Sequence, residues 1–501
     1  NNIVQAQMKT FICAWIFIWG ISASHAADMQ WTQEAKDAYA LIAALRIDEG
    51  LTLIKLHALT HPDNAIWPYL EDYGEFLRIF VQEDLRKIPA YMAASDLRMQ
   101  KIILVPESNP LSLMAQAQLL MHHCALHLQQ GEFIGAATDI NKSFKLLRKN
   151  QKAFPNDKAN LRLYASLKVA FGAVPDQYRW LVSIVTSLNG TIEEGLRELH
   201  SILETTTPAN NVYYAETVMY TALAEGRLNN QPDRGLQLLY THFGKTPETR
   251  TSQYLMANLL IADGNNDGAI TTLSKSVGVQ GAVRIPFLEF MLGECKLFRG
   301  DADADLYFRN FLISHKGKHF IKEAHQKLGW YALLNGDRPG YFNQMQQILI
   351  KGANTTDEDQ QAMLEAETHA TPHPVLLRSR LYYDGGYYAK ALNELTESLY
   401  TTLNQHGHRL EYLYRKGRIL QAQKSYPEAL HYLSLTISTG QYEKYYFACS
   451  AALQCGIIHE TLGSLPTARK YYLMCLEITP ETYSSGLHQK ARLGLNRIGE
   501  E

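Results

Sequence analysis

The chain has 501 residues and is nearly neutral, with 48 lysine and arginine residues against 50 aspartate and glutamate residues and a formal net charge of -2 at pH 7. This balance does not favour binding to a phosphate backbone or an anionic membrane, so no nucleic-acid partner is expected. The length exceeds that of one ordinary domain, yet no linker rich in proline, glycine or serine divides the sequence. Either several domains abut or one extended array runs throughout.

The amino-terminal residues 8–26 have the pattern of a signal peptide. Lys9 precedes an apolar run at residues 11–23, and Ser24 and Ala26 are the small residues that signal peptidase requires. The run is shorter than the roughly 20 residues of a membrane span, which disfavours the alternative of a retained anchor. Charges interrupt every later apolar segment, so no further span is expected. The pattern predicts export to the periplasm or outer surface of a bacterial envelope.

A repeated helical hairpin is clearest near the carboxyl end. Gly417 precedes Ala429 by twelve residues, and Gly456 precedes Ala468 by the same interval. This spacing matches the tetratricopeptide (TPR) pattern, in which the first helix (helix A) carries a small residue where the second (helix B) crosses it. Four residues after each alanine, a large side chain is expected to fill the groove: Leu433 and Tyr472. Generic helical hairpins are the alternative.

Similar units precede these two, with uneven spacing that indicates inserted loops. Their small residues on helix A are Ala257, Gly293, Gly329 and Ser379, and the unit of Gly293 has its second helix shifted by one residue. The predicted fold class is therefore all-α, an α-solenoid of TPR-like helical hairpins with irregular loops. The predicted segments are a signal peptide at 8–26, a degenerate helical-repeat region at 27–205, central TPR-like repeats at 206–365, and carboxyl-terminal TPR repeats with a capping helix at 366–501. Pro372 and Pro374 interrupt helix near the last boundary.

The amino-terminal half has poorer repeats, with a helical pair expected to turn at Gly131. A more distinctive stretch contains Gly172, Pro175, the apolar run Trp180–Leu188, Gly190 and Glu194-Gly195-Leu196. With the units that follow, it resembles a eukaryotic TPR family of outer-mitochondrial-membrane and inclusion-body-clearance proteins. The resemblance implies a TPR fold and a scaffold character, and it supplies no catalytic residues. The predicted cleavable signal is a departure from that family and points to a bacterial form.

Local motifs for chemistry are absent from the sequence. No nucleophile elbow, P-loop or dinucleotide-binding glycine motif follows a predicted strand. The best metal candidate is a helical cluster with three- and four-residue spacing, for which packing is the preferred interpretation: His122, His123, Cys124 and His127. We therefore expect no metal, no cofactor and no enzymatic activity. Cys455 and Cys475 fall on facing helices, either as a disulfide or as buried thiols.

The one functional surface that the repeat pattern predicts is the concave helix A face of the last units. Its residues are Arg380, Tyr383, Glu411, Tyr414, Arg418, Gln421 and Glu460. Arginine with tyrosine suits a peptide carboxylate and its apolar neighbours, although a solvated face is the alternative. The predicted function is a non-catalytic, exported TPR scaffold that binds an extended protein or peptide partner. A surface protein binding glycans or nutrients is the second hypothesis, and a hydrolase with an unrecognised site is the third.

Overall fold

The computed structural model describes residues 27–174, 190–245, 248–277, 281–368 and 371–499. The predicted signal segment at 8–26 lies outside these residues, as do Pro175 and the run at 180–188. The described residues form α-helices and no β-strand, with one isolated bridge between Asp28 and Asn64. The fold class is all-α, as predicted.

The chain divides into two compact units, Asn1–Leu255 with Val279–Arg284, and Met256–Gly278 with Ile285–Glu501. The helices of the first unit are α1 (Gln33–Ala43), α2 (Ile47–Thr60), α3 (Ile66–Gln82), α4 (Ile88–Ile103), α5 (Pro110–Gln130), α6 (Phe133–Ala153), α7 (Lys158–Gly172), α8 (Ile192–Thr205), α9 (Tyr214–Leu223) and α10 (Pro232–Phe243). The unit boundary falls within α11 (Arg250–Ala262). The segment bounds inferred from the sequence stay a prediction.

The second unit continues the succession of hairpins. Its helices are α12 (Asn266–Val277), α13 (Pro286–Arg299), α14 (Ala304–Ser314), α15 (Ile321–Leu334), α16 (Arg338–Ile350), α17 (Asp357–Thr368), α18 (Pro374–Asp384), α19 (Tyr388–Glu394), α20 (Glu397–Thr402), α21 (His406–Ala422), α22 (Tyr426–Gly440), α23 (Phe447–Thr461), α24 (Leu465–Glu477) and α25 (Ser484–Ile498). Many consecutive helices pack against each other as hairpins, as α21 does with α22, and first helices of neighbouring hairpins also touch, as α21 does with α23.

Small residues bring the two helices of a hairpin together. A Cβ on Gly417 would lie 2.8 Å from Leu433 Cγ, and a Cβ on Gly456 would lie 2.6 Å from the Tyr472 ring. Such separations are below van der Waals contact, so any larger residue would push the helices apart. These contacts confirm the small-to-large pairing predicted for both units.

The same pairing recurs in the earlier units. A Cβ on Gly329 would lie 2.8 Å from Met345 Cε, sixteen residues later, whereas the neighbour of Gly293 is Phe308, fifteen residues later, at 3.1 Å. The shorter interval confirms the one-residue shift that the sequence predicts for the hairpin of α13 and α14.

The hairpin of α18 and α19 uses serine in place of glycine. The Ser379 hydroxyl donates to the Ala391 carbonyl at 2.9 Å, so the polar side chain joins the two helices at their contact. The intervening turn contains Gly386 at a φ of 79°, in the left-handed region that favours glycine. This turn agrees with the predicted unit of Ser379.

The residues at other helix ends also follow the sequence pattern. Gly131 ends α5 with a φ of 83° and opens the turn into α6. Pro427 and Pro466 lie in the first turns of α22 and α24, where a missing N–H removes no helical hydrogen bond. The turn at Gly131 confirms the helical pair that the sequence predicts there.

The last helix caps the array through one clamped aromatic ring. Tyr472 is fully buried, and its ring lies between Gly456 of α23 and Gly494 of α25, because Cβ atoms on either glycine would approach it to 2.6 Å. The Tyr472 hydroxyl donates to Glu460, which also accepts from Arg497 Nε and Nη2 at 2.9 Å each. Helix α25 is thereby fixed on the last hairpin.

The first unit has a polar interior of a different kind. The fully buried Arg162 of α7 forms an ion pair with Glu216 of α9, and the Tyr73 hydroxyl donates to the same carboxylate. The Arg162 guanidinium carbon also lies 4.3 Å from the ring centre of Tyr213 and 5.8 Å from that of Tyr220. A buried cation of this kind requires its carboxylate, because desolvation of an unpaired charge is costly.

Within the described ranges, no helix is both long enough and apolar enough to cross a membrane.

Candidate functional site

The predicted surface residues come from three first helices of consecutive hairpins. Helix α18 carries Arg380 and Tyr383, and α23 carries Glu460. Helix α21 carries the other predicted residues at intervals of three and four, which places them along one face: Glu411, Tyr414, Arg418 and Gln421. We call the surface formed by α18, α21 and α23 the helix A face.

Arg418 lies at the centre of the helix A face, between two tyrosines. Its Nη1 donates to the Tyr414 hydroxyl at 3.0 Å, and its Nη2 donates to the Tyr383 hydroxyl at 2.6 Å. The guanidinium carbon is 5.4 Å from the ring centre of Tyr383 and 5.9 Å from that of Tyr414. These contacts hold the guanidinium fork in one orientation across two repeats.

The charge of Arg418 has neutral partners only. Among the described residues, no carboxylate forms an ion pair with it, and its buried Nε has no hydrogen-bond partner. Burial opposes the charged form, but the Tyr414 and Tyr383 hydroxyls outweigh that effect and raise the pKa of Arg418. A permanently charged guanidinium without a counter-ion favours an incoming anion.

Arg380 supplies a second and more exposed cation. Its side chain is 40% exposed, its guanidinium carbon lies 4.9 Å from the Trp330 ring centre, and its Nε is 3.5 Å from Asp384 Oδ2. Burial lowers the pKa of Arg380, but Asp384, Tyr446, Tyr483 and Glu411 outweigh that effect and raise it. Arg380 therefore stays charged while its side chain remains accessible.

Hydrogen bonds join the helices of the face to one another. The Tyr414 hydroxyl is 2.8 Å from Ser450 Oγ, and Gln421 Nε2 donates to Gln454 Oε1 at 3.0 Å, so both contacts link α21 to α23. Glu411 is engaged within its own helix, where it accepts from Arg415 Nε at 2.7 Å. These contacts join α21 and α23 into one hydrogen-bonded network, in which Tyr414 is buried while Arg418 and Gln421 are half-buried.

Glu460, unlike the other predicted residues, takes part in the contact that holds the capping helix α25. The Arg497 guanidinium lowers the pKa of Glu460, and the carboxylate is occupied by Arg497 and Tyr472 of the capping contact. The structure thus brings Arg418, Tyr383 and Tyr414 into direct contact, with Arg380, Glu411 and Gln421 on the same face, and it places Glu460 in the cap.

Helix α15 adds functional-site candidates that the sequence pattern does not reveal. Trp330, which underlies Arg380, donates from Nε1 to Glu365 at 3.0 Å, and the Tyr341 hydroxyl donates to the same oxygen at 2.9 Å. Burial raises the pKa of Glu365. The Glu365 carboxyl therefore positions the Trp330 ring, against which the Arg380 guanidinium packs.

A second cluster on α15 contains more acid than base. The buried Lys327 Nζ lies 2.9 Å from Glu323 and 3.4 Å from Glu294. Burial, opposed by Lys327, raises the pKa of Glu294 to about 7. One cation here lies beside two carboxyl groups, whereas Arg418 is a cation with no carboxylate partner among the described residues.

The histidine cluster of the first unit lies in the helix packing. His122 Nδ1 is 2.9 Å from Asp72, and His123 Nε2 is 2.8 Å from Ser95 Oγ. His127 Nδ1 is 2.6 Å from the carboxylate of Glu132. In the described part of the chain, no group of three or more histidine, cysteine or acidic residues is arranged to hold a metal ion.

The cysteines agree with the second of the two alternatives for Cys455 and Cys475, that of buried thiols. All five described cysteines are buried free thiols: Cys124, Cys295, Cys449, Cys455 and Cys475. The thiol nearest to Cys475 is that of Cys449, at 3.6 Å, and not that of Cys455.

The first unit also contains a pocket of about 750 Å³ whose walls are mainly apolar. Trp31, Tyr39, Met219 and Phe243 line it, and Lys36 and Glu248 contribute charges of opposite sign. No residue predicted from the sequence as functional lines this pocket.

The fold and the helix A face define the class of this protein as an all-α helical-repeat protein with TPR-like hairpins. No protein-family model and no curated protein matches the chain. Among solved structures, the human IFIT1 dimer with m7Gppp-AAAA is 12% identical over 82% of this chain and 91% of its own, with a TM-score of 0.37. The P58(IPK) TPR domain is 13% identical over 84% of this chain and 99% of its own, with a TM-score of 0.22. Similarities at this level carry no inference about ligand or partner.

Proposed function

We propose that this chain is a non-catalytic scaffold whose helix A face binds an extended segment of a protein partner, with a partner carboxylate held by Arg418 and Arg380. The single observation that supports this most is the Arg418 guanidinium, which is held by two tyrosine hydroxyls and lacks a carboxylate partner among the described residues. A bidentate carboxylate is the natural complement of such a fork.

The surroundings support a peptide as the source of that carboxylate. Tyr383 offers half-exposed ring surface beside the cation, Tyr414 lies buried behind it, and Gln421 and Gln454 supply amide groups suited to a main chain. The near-neutral charge of the whole chain does not favour a polyanion such as nucleic acid. We further propose, from the segment at residues 8–26, that the scaffold acts in the bacterial periplasm or at the outer surface.

The test begins with capture of partners on the immobilised full-length protein from a cell-envelope extract. A synthetic peptide from the captured partner, in free-acid and carboxamide forms, is then titrated into the protein by isothermal calorimetry. We expect Arg418→Met and Arg380→Met each to weaken binding by roughly 10- to 100-fold, because each removes a charge-assisted hydrogen bond. If the contacted group is the terminal carboxylate, the carboxamide peptide should show the same loss.

The matched control is Arg309→Met, on α14. Arg309 is an exposed arginine paired with Asp305 within its own helix, as Arg380 is with Asp384. This variant should bind as the wild type does. Unchanged affinity in the double variant of Arg380 and Arg418 would refute the proposal, and retention of a carbohydrate without any protein would support the glycan hypothesis instead.

A further inference from the structure

Two fully buried thiols face each other across the last hairpin. Cys449 of α23 and Cys475 of α24 are 26 residues apart in sequence, and their Sγ atoms are 3.6 Å apart. Cys455 lies six residues after Cys449 on the same helix and is equally buried, but it makes no such sulfur contact in the described structure. Geometry therefore singles out one pair among three neighbouring cysteines.

We propose that Cys449 and Cys475 are an oxidisable pair that forms a disulfide between the two helices of the last hairpin. A disulfide bond is about 2.05 Å long, so closure requires a movement of about 1.5 Å shared between two side chains. Two helices that already pack against each other can supply such a movement by small rotations about the Cα–Cβ bonds. This inference is independent of the proposed partner binding.

The local chemistry favours Cys449 as the attacking sulfur. It is the third residue of α23, where the positive end of the helix dipole stabilises a thiolate. The hydrogen bond with the Cys475 thiol lowers the pKa of Cys449 and outweighs burial, while Cys449 Sγ can also donate to the Cys475 carbonyl at 3.4 Å. The helix dipole and the Cys475 thiol therefore make Cys449 the better nucleophile of the pair.

The reaction uses a low-molecular-weight disulfide, such as oxidised glutathione, as the oxidant. The Cys449 thiolate attacks one sulfur of the oxidant and releases one reduced thiol, which leaves a mixed disulfide. The Cys475 thiolate then displaces the second thiol and forms the new sulfur–sulfur bond. The two protein thiols lose two electrons and two protons in total, and the oxidant is reduced to two thiols.

The bond would stabilise the part of α23 that contacts α21 within the helix A face. Ser450, the residue after Cys449, contacts the Tyr414 hydroxyl, and Gln454 contacts Gln421 one turn later. Since both sulfur atoms are inaccessible in the folded chain, oxidation should be slow in the native state and fast while the hairpin forms.

The experiment refolds the reduced, urea-unfolded full-length chain in a buffer of reduced and oxidised glutathione. Remaining thiols are then blocked by alkylation, and the protein is digested for peptide mapping by mass spectrometry. We expect a peptide that joins Cys449 to Cys475 and loses the link on reduction. Alkylation of both thiols after refolding, or a link from Cys475 to Cys455, would overturn the proposal.

Thermal unfolding supplies a second readout with a matched control. The oxidised wild type should melt roughly 5 °C above the reduced form, because the bond limits the unfolded chain. Cys455→Ala removes a thiol of equal burial from the same helix and should keep this difference, whereas Cys449→Ala should lose it. The mapping of the wild-type chain remains decisive if a variant fails to fold.

Discussion

Two arginines, Arg162 in the first unit and Arg418 in the second, both lie beside tyrosine rings. Of the two, Arg162 alone has a carboxylate partner in the described structure. Each guanidinium lies within 6 Å of the centres of two tyrosine rings. Arg162 is fully buried and paired with Glu216, whereas Arg418 is half-buried and held by hydroxyls alone. The presence of a counter-ion therefore distinguishes two arginines that residue type and tyrosine contacts alone would not separate.

The largest effect should come from removal of the counter-ion of Arg162. Glu216→Gln leaves a buried guanidinium unpaired, and we expect a loss of about 3–5 kcal/mol in the free energy of unfolding, measured by urea denaturation. The double variant with Arg162→Met removes both charges and should recover part of that loss. Equal losses in the single and double variants would show that the tyrosine surroundings alone stabilise Arg162.

The acid-rich cluster at Lys327 should make stability depend on pH. The pKa of Glu294 is about 7 in the folded chain against 4.5 ordinarily, so the folded state holds a proton that the unfolded state has released between these values. Stability contributed by this group is therefore present below about pH 4.5 and is lost as the pH rises through 7, by up to about 3 kcal/mol.

Glu294→Gln isolates this contribution, because glutamine mimics the protonated carboxyl and Glu323 still pairs with Lys327. Urea midpoints measured at intervals from pH 4.5 to 7.5 should show the wild type losing stability relative to the variant. Parallel pH profiles for the two proteins would contradict the assigned direction of the pKa shift.

Close helix contact, and not buried charge, distinguishes the last hairpin of the second unit. Gly456→Ala places a methyl group against the Tyr472 ring, which cannot retreat because Gly494 lies on its other side. We expect a loss of about 1–3 kcal/mol in unfolding free energy despite the better helix propensity of alanine. The control is Gly486→Ala in α25, where nothing lies within 4 Å of the added Cβ, and stability should rise by up to about 1 kcal/mol.

The sequence predicts these repeat contacts because they depend on local spacing. Gly417 and Leu433 belong to one hairpin, and the interval between them determines which side chains meet when the helices close. The shifted interval at Gly293 could be inferred for the same reason. Helix periodicity also places Tyr414 and Arg418 on one face before any tertiary contact is known.

Contacts between separate hairpins were not predictable from spacing. The carboxylate that positions Trp330 belongs to Glu365, 35 residues later, and that of Glu460 faces Arg497, 37 residues later. Even within the last hairpin, the choice of Cys449 over Cys455 as the neighbour of Cys475 depends on how α23 is rotated against α24, which the spacing of the cysteines does not determine. Such details follow from helix packing angles and loop lengths that a periodic pattern leaves open.

The smallest expected change in stability is at Arg418. This prediction tests most directly whether Arg418 differs from the structural Arg162. Arg418→Met keeps the packed stem and removes a charge that no carboxylate balances in the described structure. Tyr414 keeps its contact with Ser450, so its buried hydroxyl is not left without a partner. We expect urea denaturation to show a change within about 1 kcal/mol of the wild type. A loss of 3 kcal/mol or more, on the scale expected of Arg162 variants, would assign Arg418 to the structural interior and remove the main support for its role in partner binding.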